Sequence, residues 1–270
     1  MPYEHELEVA LAAAAKAGEL ILSEYATFAA IPNAPANIST AVDLASQEVI
    51  LLHLREHFPD DSLCAEEATG TLGAAPAGRG RLWVVDPIDG TRGFVKKNGQ
   101  FSVMIGLIAD GAVVLGVVLE PGAGRFTFAT AGGGCWQRHG GEGDQPCRVR
   151  ETASLSDAIL TQSHSKPGVP SEAVRRLAPR TVIETYSAGI KLAQVARGEA
   201  DLYVNTAGFK DWDVCAGQLL VEEAGGVVTD LRGEPLRYGA PGFRQSHGLI
   251  AANPALHAEV VKRYNSPTSP

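Results

Sequence analysis

Trp83-Val84-Val85-Asp86-Pro87-Ile88-Asp89-Gly90-Thr91-Arg92-Gly93-Phe94 closes an apolar run with two carboxylates three positions apart and then turns on Gly-Thr. Leu82 to Val85 read as a buried strand. Pro87 has no N–H to give a ladder, which predicts that the strand stops there. Asp86 and Asp89 then fall on the turn leaving the sheet, where two carboxylates can converge on a hard cation that prefers oxygen. Gly90 permits close approach of backbone. Thr91 adds a hydroxyl beside N–H groups of the kind that suit a phosphate. Asp-Pro-x-Asp-Gly alone is also ordinary turn chemistry, but carboxylates, a hydroxyl and a phosphate-friendly turn in so short a stretch point to metal-dependent phosphate chemistry.

Outward from this stretch, residues 5–28 carry apolar side chains at helical spacing on an Ala-rich background, and a second helix is predicted from Val42 to His57, ended by Phe58-Pro59. A short strand, Ser62 to Ala65, delivers Glu66-Glu67, and Ala68 to Gly80 reads as a loop beside the site. Downstream, Phe101–Ala109 and Val113–Leu119 form a hairpin on Asp110-Gly111, and Arg125–Thr130 is a further strand. Gly132-Gly133-Gly134 is read as a turn, because no Lys-Ser or Lys-Thr helix follows it. The segment from Gly140 to Pro146 looks like an exposed tip and a lobe boundary. From about Arg150 strands and helices alternate: strands at 158–162, 181–184, 202–205, 227–230 and 249–251, helices at 171–177, 190–197, 214–224 and 255–263. The tail from Asn265 to Pro270 is expected to be disordered.

With 270 residues, 45% hydrophobic and 20% charged, the chain is long enough for one large domain or for two lobes sharing a substantial core. A net charge of −8 without a basic stripe argues against a nucleic-acid polymer as partner. The first residues lack a basic, cleavable apolar leader, and Val9 to Ala15 is too short to span a bilayer, so a cytoplasmic protein without stable membrane association is expected. Cys64, Cys135, Cys147 and Cys215 form no CxxC pair and are expected as reduced thiols, although Cys135 and Cys147 could meet across a hairpin. Cys64 lies two residues before Glu66 and Cys215 two after Asp213, so their oxidation could disturb the site.

Three further segments fall in a telling order around the central motif: Glu66-Glu67, Trp212-Asp213 followed by Val214-Cys215-Ala216-Gly217, and Glu223-Ala224-Gly225-Gly226. With them, nearly the whole chain resembles the inositol monophosphatase superfamily of lithium-sensitive, magnesium-dependent phosphatases. The resemblance implies a mixed α/β and α+β fold, the layered α-β-α-β-α sandwich. It also implies a larger lobe at 1–148 and a smaller α/β lobe at 149–270, meeting at the metal site. Glu66, Asp86, the Ile88 carbonyl, Asp89 and Asp213 match the superfamily's ligands for two or three Mg²⁺. Crowded carboxylates repel unless divalent cations intervene. By the same resemblance Thr40-Ala41-Val42-Asp43 supplies Asp43 to work with Thr91 in activating the attacking water. A helix-start carboxylate is the plainer reading of Asp43, and both can hold. Monomer and homodimer both stay open.

Two features lean toward the branch of 3′(2′),5′-bisphosphate nucleotidases, which hydrolyse 3′-phosphoadenosine 5′-phosphate: Gln162-Ser163-His164-Ser165 and Ser187-Ala188-Gly189-Ile190-Lys191-Leu192. The expected contacts to a small phosphorylated substrate are Glu66, Asp89, Gly90, Thr91, Arg92, His164, Lys191 and Asp213. Pro35-Ala36-Asn37-Ile38-Ser39-Thr40 lacks the Lys, Asp and Pro common in that branch, which keeps inositol monophosphatase, histidinol-phosphate phosphatase and sugar phosphatase in play. A non-catalytic relative binding metal or phosphate is the alternative of another class, but every ligand carboxylate and the Thr are present. A nucleotide-cofactor oxidoreductase is disfavoured because no GxGxxG follows an early strand.

Overall fold

The computed structural model describes residues 3–73 and 80–266. Two long helices, α1 (Glu4–Thr27) and α2 (Ala41–His57), open the chain. On α1, Ala10, Ala13, Ala14, Ala17, Gly18 and Ile21 are buried at i, i+3, i+4 spacing. Small side chains there let the helix lie close to the sheet. A Cβ on Gly18 would stand 2.7 Å from Leu119 Cδ2. Thr40 caps α2, its hydroxyl accepting from the Val42 N–H while Asp43 accepts from the Thr40 N–H.

Beneath these helices lies a seven-stranded sheet in sequence order: β1 (Ser62–Ala65), β2 (Arg81–Asp89), β3 (Ser102–Ala109), β4 (Ala112–Glu120), β5 (Arg125–Thr130), β6 (Gly134–His139) and β7 (Gln145–Pro146). Only β1 and β2 run parallel, and every later pairing is antiparallel. One helical turn, α3 (Gly70–Gly73), interrupts the predicted loop after β1, whose residues 74–79 lie outside the described chain. A short helix, α4 (Thr91–Val95), follows β2.

The second half begins with β8 (Ile159–Gln162), α5 (Glu172–Leu177), β9 (Thr181–Glu184), α6 (Ala188–Ala196), β10 (Leu202–Asn205) and β11 (Phe209–Lys210). It continues through α7 (Cys215–Glu223), β12 (Val227–Thr229), β13 (Arg244–Gln245), β14 (Leu249–Ala252) and α8 (Pro254–Asn265). Strands β12-β14-β10-β8-β9 form a mixed five-stranded sheet, and β11 pairs with β13. Helices α6 and α7 lie between the two sheets, touching β3 and β4 on one side and β10 and β14 on the other, while α5 and α8 cover the far face. The result is the five-layer α-β-α-β-α sandwich. Its middle layer packs Met104 and Val118 of the large sheet with Leu192, Leu219 and Leu220 of the helices and Tyr203 of the small sheet.

Several expectations are corrected. The strand does not stop at Pro87: the ladder pairs Asp86 with Met104, skips Pro87 and Ile88, and resumes with Asp89 opposite Ser102. A bulge therefore absorbs the proline's missing N–H. The sequence pattern gives no signal for β6, and β7 turns part of the expected exposed tip into a sheet edge. Helix α8 runs to Asn265, and residues 267–270 of the expected disordered tail lie outside the described chain.

Candidate active site

The bulge at Pro87-Ile88 sets the geometry of the cleft. Across it Asp86 and Asp89, both still paired in the sheet, bring their carboxylates together, and Asp213, in the turn before α7, comes in from the other half of the chain. One carboxylate oxygen from each of Asp86, Asp89 and Asp213 lies within 4.8 Å of the others. Each aspartate also commits one oxygen to a backbone N–H: Asp86 Oδ1 accepts from Ile88 at 3.1 Å, Asp89 Oδ2 from Gly189 at 2.7 Å, and Asp213 Oδ2 from Lys210 at 2.6 Å. Asp89 Oδ2 accepts from the hydroxyls of Ser187 and Ser102 as well. The first turn of α6 thus grips an aspartate delivered by β2.

Burial, then repulsion from Glu66, Asp89, Asp213 and Asp43, holds the Asp86 carboxyl well above the usual carboxylate range. Asp213 is pushed up to about 7, chiefly by burial, with the Lys210 N–H pulling the other way. Converging carboxylates that resist ionisation together are a donor set that fits a hard divalent cation. Glu66 stands apart from the trio, on the exposed rim of the same cleft. Packed neighbours that limit the hydration of its carboxylate, then Asp213 and Glu67, push it up too. The segment that carries it is clamped by the buried Gln47 amide, whose Oε1 accepts from the Glu67 N–H at 2.8 Å while its Nε2 donates to the Glu67 carbonyl at 2.6 Å.

Asp43, in the first turn of α2, and Thr91, which opens α4, meet side by side. Thr91 Oγ1 lies 2.9 Å from Asp43 Oδ1 and 3.0 Å from the Ile88 carbonyl oxygen. The other Asp43 oxygen accepts from the Thr40 N–H and, at 2.6 Å, from the Thr40 hydroxyl. Burial raises the Asp43 carboxyl despite these donors. The capping role and the contact with Thr91 are both present. Gly90 holds φ +85°, and a Cβ there would stand 2.8 Å from the Gln100 carbonyl oxygen and 3.0 Å from the Ser187 nitrogen, so this turn accepts only glycine without strain.

A cleft of about 280 Å³ is lined by Asp86, Asp89 and Asp213 and by Glu66, Ile88, Gly90, Thr91, Arg92 and His164. His164 stacks on Tyr186 with ring centroids 4.2 Å apart, and Arg92 lays its guanidinium 5.1 Å from the centroid of the same ring. Lys191 does not reach the cleft. It is 1% exposed, with its ammonium donating to Ser163 Oγ at 3.3 Å and to the carbonyls of Thr185 and Tyr186 at 3.1 and 3.2 Å. Burial pulls it down to about 8, partly offset by Asp89 and Asp213. The expected substrate contact is a buried support for the turn that presents Tyr186. The sequence reading missed Gln47, Ser102, Ser187 and Tyr186. Only Ser187 carried a local signal, as the N-cap of α6, accepting from the Ile190 N–H at 2.9 Å.

A five-layer sandwich with acidic residues from both halves at one cleft defines a class of metal-dependent phosphatases. Residues 3–266 match the model of the inositol monophosphatase family, and the chain belongs to that family. It is similar to a Thermotoga maritima fructose-1,6-bisphosphatase/inositol-1-monophosphatase, 34% identical over 85% of this chain and 83% of that protein. It is also similar to the Escherichia coli 3′(2′),5′-bisphosphate nucleotidase CysQ, 33% identical over 77% and 84%. Among solved structures, the Thermotoga maritima IMPase matches with a TM-score of 0.80 at 31% identity over 97% of both chains. The protein is a phosphoric monoester hydrolase of a metal-dependent family whose members act on small phosphorylated substrates.

Proposed function

We propose that this phosphatase is a Mg²⁺-dependent 3′(2′),5′-bisphosphate nucleotidase, hydrolysing 3′-phosphoadenosine 5′-phosphate to AMP and phosphate. The carrying observation is the Tyr186–His164 stack with Arg92 against the same ring, on the wall of the carboxylate cleft. A flat aromatic face suits a nucleobase, and a guanidinium beside it suits a second phosphate. The 33% identity to CysQ supports the same reading. Inositol or sugar phosphate hydrolysis is the second reading, supported by the similar identity to the Thermotoga relative and by the loop at 35–40, which lacks the nucleotidase pattern.

In this reading Asp86, Asp89, Asp213, Glu66 and the Ile88 carbonyl hold two or three Mg²⁺. Once bound, such ions lower the pKa of a ligating water and neutralise charge building on the leaving oxygen. Thr91 gives its proton to Asp43 Oδ1 while accepting one from the attacking water, and burial of Asp43 makes it the more willing acceptor. Thr40 keeps the other Asp43 oxygen occupied, so the proton has one place to go. Gly90, Thr91 and Arg92 position the phosphate side of the cleft. Lys191 acts from behind, by fixing the backbone of Thr185 and Tyr186.

The test is phosphate release with Mg²⁺ from 3′-phosphoadenosine 5′-phosphate, inositol 1-phosphate, histidinol phosphate and fructose 1,6-bisphosphate, with Asp89→Asn as control. The expected result is preference for the bisphosphate nucleotide, lost in the control and weakened in Tyr186→Ala. Preference for inositol phosphate, unaffected by Tyr186→Ala, would discard the nucleotide assignment.

A further inference from the structure

At the far end of α2 from Asp43, the helix carries His53-Leu54-Arg55-Glu56-His57. Two histidines four apart lie on one helical face, the spacing by which a helix presents two imidazoles to a single metal ion, and Glu56 lies on the adjoining turn. One donor atom from each of His53, Glu56 and His57 falls within 4.8 Å of the others. The His53 and His57 rings stand 4.9 Å apart, and His5, in the first turn of α1, sets its ring 5.9 Å from His57. Two imidazoles and a carboxylate thus converge on α2, with a third imidazole, that of His5, beside them across the seam between two helices. We propose that His53, Glu56 and His57, with His5 as a fourth ligand from α1, bind a late first-row divalent cation of the zinc(II) class.

The ligand types separate this site from the active cleft. Imidazole nitrogen suits zinc, nickel and copper, whereas the carboxylate oxygens of the cleft suit a harder cation such as magnesium. His53 already presents a lone pair to a positive charge, because its Nδ1 lies 3.0 Å from the Lys16 ammonium. Lys16 is exposed on a flexible stem and stands where a metal ion would enter, so it competes for the His53 lone pair. Bound metal would join the first turn of α1 to the last turn of α2.

The experiment is calorimetric titration of Zn²⁺ into the full chain saturated with Mg²⁺, comparing wild type, His57→Gln, His5→Gln and Lys16→Met. His57 and Lys16 are exposed and far from the catalytic machinery, so unchanged phosphatase activity and unchanged melting in EDTA serve as fold controls. Zn²⁺ is expected to bind the wild type and raise its melting temperature. His57→Gln should weaken binding by at least the roughly 10–100-fold that losing a supporting partner of a metal site costs. Lys16→Met should tighten it by removing the competing ammonium. Equal Zn²⁺ affinity in wild type and His57→Gln would place the ion elsewhere and overturn the proposal, as would no Zn²⁺ binding to the wild type.

Discussion

Thr91 and Asp43 lie 48 positions apart in the chain and 2.9 Å apart in the fold, and the hydroxyl between them is the smallest unit whose removal should stop turnover. Thr91→Ala is expected to lower kcat by about 10²–10⁴-fold, the usual worth of a positioned proton acceptor. Thr91→Ser should recover much of it, because serine keeps the hydroxyl. The cost to stability should be only about 0.5–1.5 kcal/mol, that of one hydrogen bond, as read from denaturant unfolding. Near-normal turnover in both Thr91→Ala and Asp43→Ala would dismiss the relay. At this scale the sequence was legible wherever chemistry sits on a contiguous motif: Asp86, Asp89, Gly90 and Thr91 are all read from one stretch. Lys191 was not legible, because whether a lysine reaches a cleft or is enclosed among carbonyls depends on packing that no local pattern encodes. Gln47 and Tyr186 escaped for the same reason, acting on partners 20 or more positions away.

Between elements, α7 lies against the large sheet at a distance set by glycine. A Cβ on Gly116 of β4 would stand 2.2 Å from the Ala216 carbonyl oxygen and 3.0 Å from its carbon, backbone atoms that cannot swing aside. Gly116→Ala should therefore destabilise the protein by about 1–3 kcal/mol and lower activity, since α7 follows directly on Asp213. Denaturant midpoint and kcat measured on the same preparation check this, and an unchanged midpoint would show a looser seam. Elements with strong periodicity were read almost to the residue, among them α2, β1, β5, β9 and β10. Strand β2 was cut short because a proline normally ends a ladder, yet here a bulge opposite Val103 carries the ladder past it. Strand β6 was overlooked because Gln137, Arg138 and His139 give it a polar end beside a two-residue edge strand.

For the molecule as a whole, the cleft sets stability against charge. Asp86 and Asp213 are raised in the fold, so the folded chain holds protons that the unfolded chain releases. Each contribution is fully present below the unfolded value of 3.8, and that of Asp213 is lost as pH rises through about 7. In EDTA, melting temperature should accordingly fall between pH 5 and pH 8, and a saturating divalent cation should remove most of that fall. A flat profile in EDTA would contradict the assignment. The three backbone N–H groups that each hold one oxygen of Asp86, Asp89 and Asp213 reach further than hydrogen-bond satisfaction. They occupy one oxygen of each carboxylate and turn the other, less encumbered oxygen toward the space the three side chains share. Calcium takes six to eight oxygens at 2.3–2.6 Å in flexible geometry, whereas magnesium demands near-octahedral oxygens at 2.0–2.1 Å and keeps several waters. On the proposed Mg²⁺-dependent reading, such a cleft would act as a gauge of ionic radius: Ca²⁺ should enter it, compete with Mg²⁺ and fail to support turnover, an outcome that phosphate release in mixed Mg²⁺ and Ca²⁺ checks.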